Sequence, residues 1–260
     1  MQTEQFQLHS RMEENHWWFT GRREILRRLV RQILPGSGQT IVDIGCGTGG
    51  NLAAFAAEYR CTGWDPSEEA IGLARRRYPS MQFLSGPFDP AAAAFPRNPD
   101  LILALDVLEH VERDRDLLSR LVSMVRPGGH LLIMVPAGME LWSPHDVSVG
   151  HFRRYSRPQL EKLWSEEPVT PSLVSHFNAR LYPAVRLVRF WTRRSGRASG
   201  EAETDFRVPP APVNLLLNRI FASEAGILVD LLQQKRRAGF SRGVSIIALL
   251  RKKGEQGNGS

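Results

Sequence analysis

The sequence is poor in cysteine, in long apolar runs and, in one region only, in acidic residues. Two cysteines, Cys46 and Cys61, occur in 260 residues. That is too few for a disulfide framework, and both read as thiols of a reducing compartment. No apolar run approaches the roughly 18 residues that a membrane-spanning helix needs. The opening MQTEQFQLHS lacks the apolar core of a secretory signal, so the cytoplasm is the expected location. Residues 1–176 hold 19 Lys/Arg against 21 Asp/Glu, whereas residues 177–260 hold 15 against 6. The whole net charge of +7 therefore comes from the last third, which points to an anionic neighbour for that part or to a solvated basic face.

What is present reads as an ordinary globular chain, 42% hydrophobic and 23% charged, long enough for one elaborated α/β domain. Its organising stretch is TIVDIGCGTGGN, residues 40–51. Ile41 to Ile44 reads as a strand buried on both faces, and four glycines fall among the next six residues. Leu52, Phe55, Ala56 and Tyr59 then follow at helical spacing. A glycine turn between a strand and a helix N-terminus lets a ligand approach the backbone closely. Gly45, Gly47 and Gly50 satisfy GxGxxG for a dinucleotide. Asp43 with Gly45, Gly47 and Gly49 equally gives the DxGxGxG of a methyltransferase, and the stretch alone leaves both open.

Along the chain, strands are expected at Arg60–Trp64, Met81–Leu84, Leu101–Leu105, His130–Val135, Ser172–Phe177 and Gly243–Leu250. Helices are expected from Ile25 to Leu34 and over residues 114–125. This alternation predicts an open, doubly wound parallel sheet with right-handed crossovers. Asp65, at the end of the second strand, stands where nucleotide folds place an acid on ribose hydroxyls. Residues 136–155 form a long polar and aromatic loop at the sheet edge that binds ligands. It holds His145, Asp146, His151, Arg153, Arg154 and Tyr155. Residues 178–241 are far more than a hairpin needs. They contain a helix from Ala179 to about Arg194, a Gly/Ser/Glu-rich stretch SGRASGEAETD read as mobile, and a proline spacer. A very apolar helix over 213–232, broken near Gly226, follows. Near the N-terminus, His16, Trp17, Trp18 and Phe19 precede paired arginines, which reads as a hydrophobic plug or as a lid over a ligand.

With these motifs in order, the chain resembles the class I S-adenosylmethionine-dependent methyltransferases of bacterial small-molecule and glycan pathways. VDIGCGTG, the strand-end Asp65, DVLEHV after the fourth strand and RPGG before the fifth carry the resemblance. HWWFTGRR, GHFRRYS and GVSIIALLRK look like one branch of that family. The resemblance implies a Rossmann-like seven-stranded sheet in the order 3-2-1-4-5-7-6 with strand 7 antiparallel. The implied divisions are an N-terminal lid and helix (1–36), a cofactor-binding core (37–177), a helical cap inserted between strands 6 and 7 (178–241), and a last strand with a disordered tail (242–260). It implies S-adenosyl-L-methionine as cofactor and S-adenosyl-L-homocysteine as product.

The same resemblance implies that Asp43, Gly45, Cys46, Gly47 and Gly49 line the methionine and ribose part of the cofactor. Asp65 would take the ribose hydroxyls, with Pro66 beside the adenine. Leu105, Asp106 and His110 would flank the sulfonium. Arg22 or Arg23 would pair with the carboxylate under Trp17 and Trp18. Relatives carry Gly-Asp after the third strand, where this chain has Gly86-Pro87, so the Phe88 backbone and Asp89 would substitute or the adenine contact is weaker. His151, with His145 and Asp146 as alternatives, is the candidate general base for a hydroxyl acceptor, while Arg153, Arg154 and Tyr155 are expected to hold the substrate. No metal is expected. The expected acceptor is a small-molecule, glycan or lipid-linked compound, with peripheral contact to anionic membrane. The alternatives are an RNA methyltransferase, disfavoured because ALDVLEH is not the turn of exocyclic-amine methylases, and a peripheral membrane protein that binds the cofactor without catalysis.

Overall fold

The computed structural model describes residues 3–91, 94–195 and 207–254. Most of the SGRASGEAETD stretch, the middle of the alanine-rich link near residue 92 and the tail from residue 255 lie outside the described residues. Seven strands form one sheet: β1 (Thr40–Ile44), β2 (Arg60–Asp65), β3 (Gln82–Ser85), β4 (Leu101–Leu105), β5 (His130–Pro136), β6 (Val169–Phe177) and β7 (Ser245–Lys252). Their order is β3-β2-β1-β4-β5-β7-β6. The first five strands pair in parallel, and β7 runs antiparallel to both β5 and β6.

Period-2 alternation sorts each strand between two cores. Ile41, Leu101, Leu103 and Leu105 face α2 (Trp17–Ile33), α3 (Glu68–Arg77) and α9 (Glu224–Leu232). Val42, Ile44, Ile102 and Ala104 face α4 (Asp114–Met124) and α6 (Arg157–Leu163). With both faces covered, β1 reads as a continuous apolar run apart from Asp43, as a central parallel strand does.

Four local expectations change. After the glycine turn the chain makes a 3-10 helix, Leu52–Phe55, where an α-helix was expected. Leu52 and Phe55 are buried, and β2 begins at Arg60, which leaves too little chain for a longer helix and its return. The N-terminal segment is helical throughout, α1 (Thr3–Asn15) then α2, with the break at His16. The His16 ring accepts from the Trp18 N–H at 3.2 Å, so the aromatic cluster opens the helix instead of preceding it. The apolar run at 213–232 is two helices, α8 (Ala211–Ala222) and α9, broken at Ser223 and not at Gly226. Glu224 fixes that break: its buried carboxylate accepts from the Ala179 and Arg180 N–H groups, each at 2.8 Å. Finally, the loop after β5 contains a short 3-10 turn (Met139–Leu141) and α5 (Pro144–Ser148), begun by a Ser143–Asp146 capping box.

The insertion between β6 and β7 shares the main core. Phe221, Ala225 and Leu228 pack with Ile25, Leu26 and Leu29. A Cβ on Gly21 would stand 2.7 Å from the Phe221 ring, so only glycine lets α2 and α8 approach this closely. Asn214 ties the same helices by accepting from Trp17 N–H at 2.9 Å and donating to the Asn15 carbonyl at 2.7 Å. Among the described residues of 178–241, α8 and α9 therefore share a packing layer with α2, while α7 (Tyr182–Ser195) reaches the loop after β5.

One titration follows from the packing. His130, at the start of β5, has its Nδ1 buried without a partner. Burial and the nearby Arg251 and Arg126 lower its pKa to about 4, against a smaller opposing effect of Asp100. The folded chain then binds the proton less readily than the unfolded chain, so this contribution is present above about pH 6.5 and lost as pH falls towards 4. His130→Gln should therefore gain in Tm relative to the parent between pH 6.5 and 4, read by calorimetry. A Tm difference independent of pH would contradict this.

Candidate active site

The carboxyl ends of β1, β2, β4 and β5 open into a cavity of about 980 Å³. Its floor is the glycine turn and the turn after β4. Its roof combines Phe6, His9 and Glu13 of α1, Trp17, Trp18 and Arg22 at the start of α2, and Leu181, Val185, Val188 and Arg189 of the helix that follows β6.

At the glycine turn, Gly45, Gly47 and Gly49 have φ of +75°, +54° and +83°, values that glycine adopts without a steric cost. A Cβ on Gly45 would lie 2.6 Å from Val107, whereas a Cβ on Gly47 would meet nothing within 4 Å, because Gly47 faces the cavity. The Asp65 carboxylate is held from behind, accepting from Gly47 N–H and Ser67 N–H, each at 2.9 Å. Burial raises its pKa and these two bonds oppose the rise. Trp64 and Phe88 form an aromatic wall with ring centroids 4.8 Å apart.

Several buried polar atoms have no partner among the described residues: both Asp43 oxygens, Asn51 Oδ1 and Arg22 Nε. Burial pushes the Asp43 carboxyl up to about 8, with Arg22 opposing and Asp65 and Glu13 reinforcing. Arg22 lies over the Trp18 ring at 4.0 Å and pairs with Asp106, itself in the left-handed region at φ +57°. Of these unpaired groups, Arg22 and Asn51 line the cavity, and an unpaired donor beside an unpaired acceptor fits a ligand carrying both charges, as the methionine part of S-adenosylmethionine does.

The opposite wall is built around Asp146. Its carboxylate is fully buried and accepts from Arg154 Nε at 2.8 Å, Arg189 at 2.9 Å and Ser143 N–H at 2.9 Å. His151 Nδ1 lies 2.8 Å from Asp146 Oδ1. Burial alone would raise the Asp146 pKa; His151 and the two guanidiniums together hold it well below the usual carboxylate range. The His151 ring meets His110 at 4.7 Å and His145 at 6.3 Å, and all three rings line the cavity.

Twelve of the expected cofactor residues line this cavity: Trp17, Trp18, Arg22, Gly45, Cys46, Gly47, Asp65, Pro66, Phe88, Leu105, Asp106 and His110. Arg23, Asp43, Gly49, Gly86 and Pro87 do not. Gly49 packs against Phe83 and Tyr78, and Asp89, whose Oδ1 accepts from Ala91 N–H at 2.9 Å, is not among the residues that line the cavity. Among the base candidates, Asp146 is an ion-pair centre with no capacity left to take a proton. Arg153 and Tyr155 also stand apart from the cavity. Asp114 accepts from both, at 2.7 Å each, which holds them against the first turn of α4. Of the expected substrate residues only Arg154 reaches the wall, already paired.

Sequence reasoning missed the α1 contribution. Glu13 accepts from Thr48 Oγ1 at 2.7 Å and pairs with Arg77, fastening α1 over the glycine turn. It also missed Arg189, whose arginine-rich helix read as facing an anionic neighbour or solvent. No short-range spacing joins these residues, so no motif could have shown them.

A family model described as a methyltransferase domain matches residues 18–167. The trans-aconitate 2-methyltransferase of Paracidovorax citrulli is 24% identical over 82% of this chain and 78% of its own. The mitochondrial ubiquinone biosynthesis O-methyltransferase of Schizosaccharomyces pombe is 31% identical, over 45% of each chain. Thus the chain spans less than half the length of that relative. Among solved structures, the plantazolicin methyltransferase BpumL in complex with SAH superposes with a TM-score of 0.55 at 16% identity, over 96% of this chain and 90% of that one.

Replacing Asp146 by Asn should leave two guanidiniums buried without a counter-charge. Removing one member of a buried ion pair costs about 3–5 kcal/mol, and urea unfolding of Asp146→Asn should show a loss of that order. A loss below about 1 kcal/mol would mean that Asp146 does not organise this wall.

Proposed function

Because this chain belongs to the class I S-adenosylmethionine-dependent methyltransferases, we propose that it methylates a small amphiphilic acceptor on oxygen. The observation that carries this reading is the roofed cavity. The cofactor side lies under α1 and α2, and the remaining space lies between the histidine wall, Leu181 and the apolar face of α7, Val185 and Val188. A partly open space of about 980 Å³ takes a cofactor with a small acceptor.

In this reading, Asp65 receives the ribose hydroxyls, presented by the two N–H groups that orient its carboxylate. Trp64, Pro66 and Phe88 form the apolar wall for the adenine. Arg22 Nε and Asn51 Oδ1, both buried and unpaired, face the amino-acid end. S-adenosylmethionine supplies an electrophilic methyl group. The protein's part is to align the acceptor, exclude water and receive a proton where the acceptor is a hydroxyl. The histidine wall of His110, His145 and His151 is the place for that proton. The O-methyltransferase among the relatives agrees with an oxygen acceptor.

Asp65→Ala would remove two charge-assisted hydrogen bonds of about 1.5–3 kcal/mol each. Affinity for S-adenosylhomocysteine, measured by calorimetry, should fall at least about tenfold. Unchanged affinity would remove Asp65 from the cofactor site.

A lipid-linked acceptor is favoured by the surface around the cavity mouth. Val188 both lines the cavity and is 47% exposed, and Leu187, Phe190 and Trp191 continue the apolar surface along α7, with Leu215 and Leu216 exposed on α8. Arg186, Arg193 and Arg194 stand exposed among them. No helix among the described residues is long and apolar enough to cross a membrane, so contact with lipid would be peripheral. Flotation at low salt should show binding to anionic vesicles, weakened by salt and absent with neutral vesicles. Equal behaviour towards both vesicle types would remove the membrane contact and leave a soluble acceptor.

A further inference from the structure

We propose that Glu109, His110 and His151 bind one divalent transition-metal ion of the zinc type on the wall of the cavity. One ligand atom from each lies within 4.8 Å of the others. Glu109 is wholly buried, and neither carboxyl oxygen has a hydrogen-bond partner among the described residues. The group lies near Asp106 and Asp146. The arginines nearby are engaged elsewhere: Arg22 with Asp106, and Arg154 and Arg189 with Asp146.

Both imidazoles are held as metal-binding histidines are, by an acceptor on one nitrogen that leaves the other for the ion. His151 Nδ1 lies 2.8 Å from Asp146 Oδ1, which is held in turn by Arg154. His151 Nε2 is on the other side of the ring, 3.9 Å from Glu109 Oε1. The His110 ring is bonded to the Gly150 backbone. The segments are tied together as well: Phe152 N–H donates to the Glu109 carbonyl at 2.8 Å.

Zinc bonds of about 2.0–2.1 Å place tetrahedral ligand atoms roughly 3.3 Å apart, so a small side-chain adjustment closes the 3.9 Å pair. Two imidazoles and one carboxylate suit zinc, iron, cobalt or manganese better than calcium or magnesium, which prefer oxygen throughout. His110 and His151 line the cavity while Glu109 lies behind them, so the remaining coordination position opens into the cavity. On the reading that the acceptor is methylated on oxygen, that position takes its carboxylate or hydroxyl oxygen; ion binding itself does not depend on that reading. No sequence pattern announces such a site, because Glu109 and His110 are adjacent and His151 comes from a different loop, so the expectation of no metal is revised here.

The test is titration of the chelator-treated full chain with cobalt(II), followed by visible absorption, then competition by zinc(II). Calorimetry with S-adenosylhomocysteine runs alongside. The expected result is one equivalent of cobalt with an intense visible band, displaced by zinc. Glu109→Gln, His110→Ala and His151→Ala should each weaken cobalt binding at least about tenfold, and Glu109→Gln and His151→Ala should retain S-adenosylhomocysteine affinity. Absence of a cobalt band in the parent protein, or unchanged cobalt affinity in all three variants, would overturn the site. Loss of S-adenosylhomocysteine binding in a parent that still takes cobalt would sink the methyltransferase reading and leave the metal site standing.

Discussion

The buried carboxylate of Asp146 is the constraint on which the histidine-lined side of the cavity depends. Four donors from separate parts of the chain converge on it: Ser143 N–H at the start of α5, His151 and Arg154 from the loop before α6, and Arg189 from α7. Burying an isolated carboxylate is strongly unfavourable, and burying two guanidiniums without it is equally so. The groups are therefore stable only together. That mutual requirement fixes a loop of about twenty residues that has little regular structure of its own. It also holds the His151 ring and brings α7 across the cavity, so the geometry of the histidine wall is a consequence of one ion-pair centre.

The side formed by the glycine turn is organised by the backbone instead. Positive φ at the three glycines lets the chain turn within a few residues of β1 and directs Gly47 N–H at Asp65. Because a backbone N–H supplies the orientation, Asp65 keeps its direction without any long side chain to order. The roof over this side is a second layer of side-chain contacts, Glu13 with Thr48 and Arg77, and Arg22 with Trp18 and Asp106. Rigid floor and side-chain roof suit a site that must admit a ligand and then exclude water.

The two faces of the sheet explain why the fold was so legible. Strands such as Leu101–Leu105 are apolar at every position because each face meets helices. That pattern and the alternation with helices leave few topologies. The placement of the glycine turn and Asp65 at the cavity was legible for a similar reason: it depends on backbone conformation and position at a strand end, both local in sequence. Local reasoning failed where a distant partner decided the structure. The break at Ser223 answers to Ala179 and Arg180, and the helical start at Trp17 answers to Asn214. Arg153 and Tyr155 looked like substrate groups until Asp114 was seen to hold both.

The sequence by itself determined the sheet, its order through the resemblance, the cofactor class and the strand-end acid, because each rests on periodicity, glycine conformation or a motif within a few residues. Only the tertiary structure decided which charges are spent on one another and which face the cavity. Arg154 and Asp146 lie in the same polar loop as His151, and nothing in that stretch tells a paired ion from an available one. The distinction depends on Arg189, more than forty residues away in α7, and on burial that removes water as the alternative partner. Electrostatic roles in a buried site are set by the three-dimensional neighbours of each charge, and those neighbours are assembled only when the chain has folded.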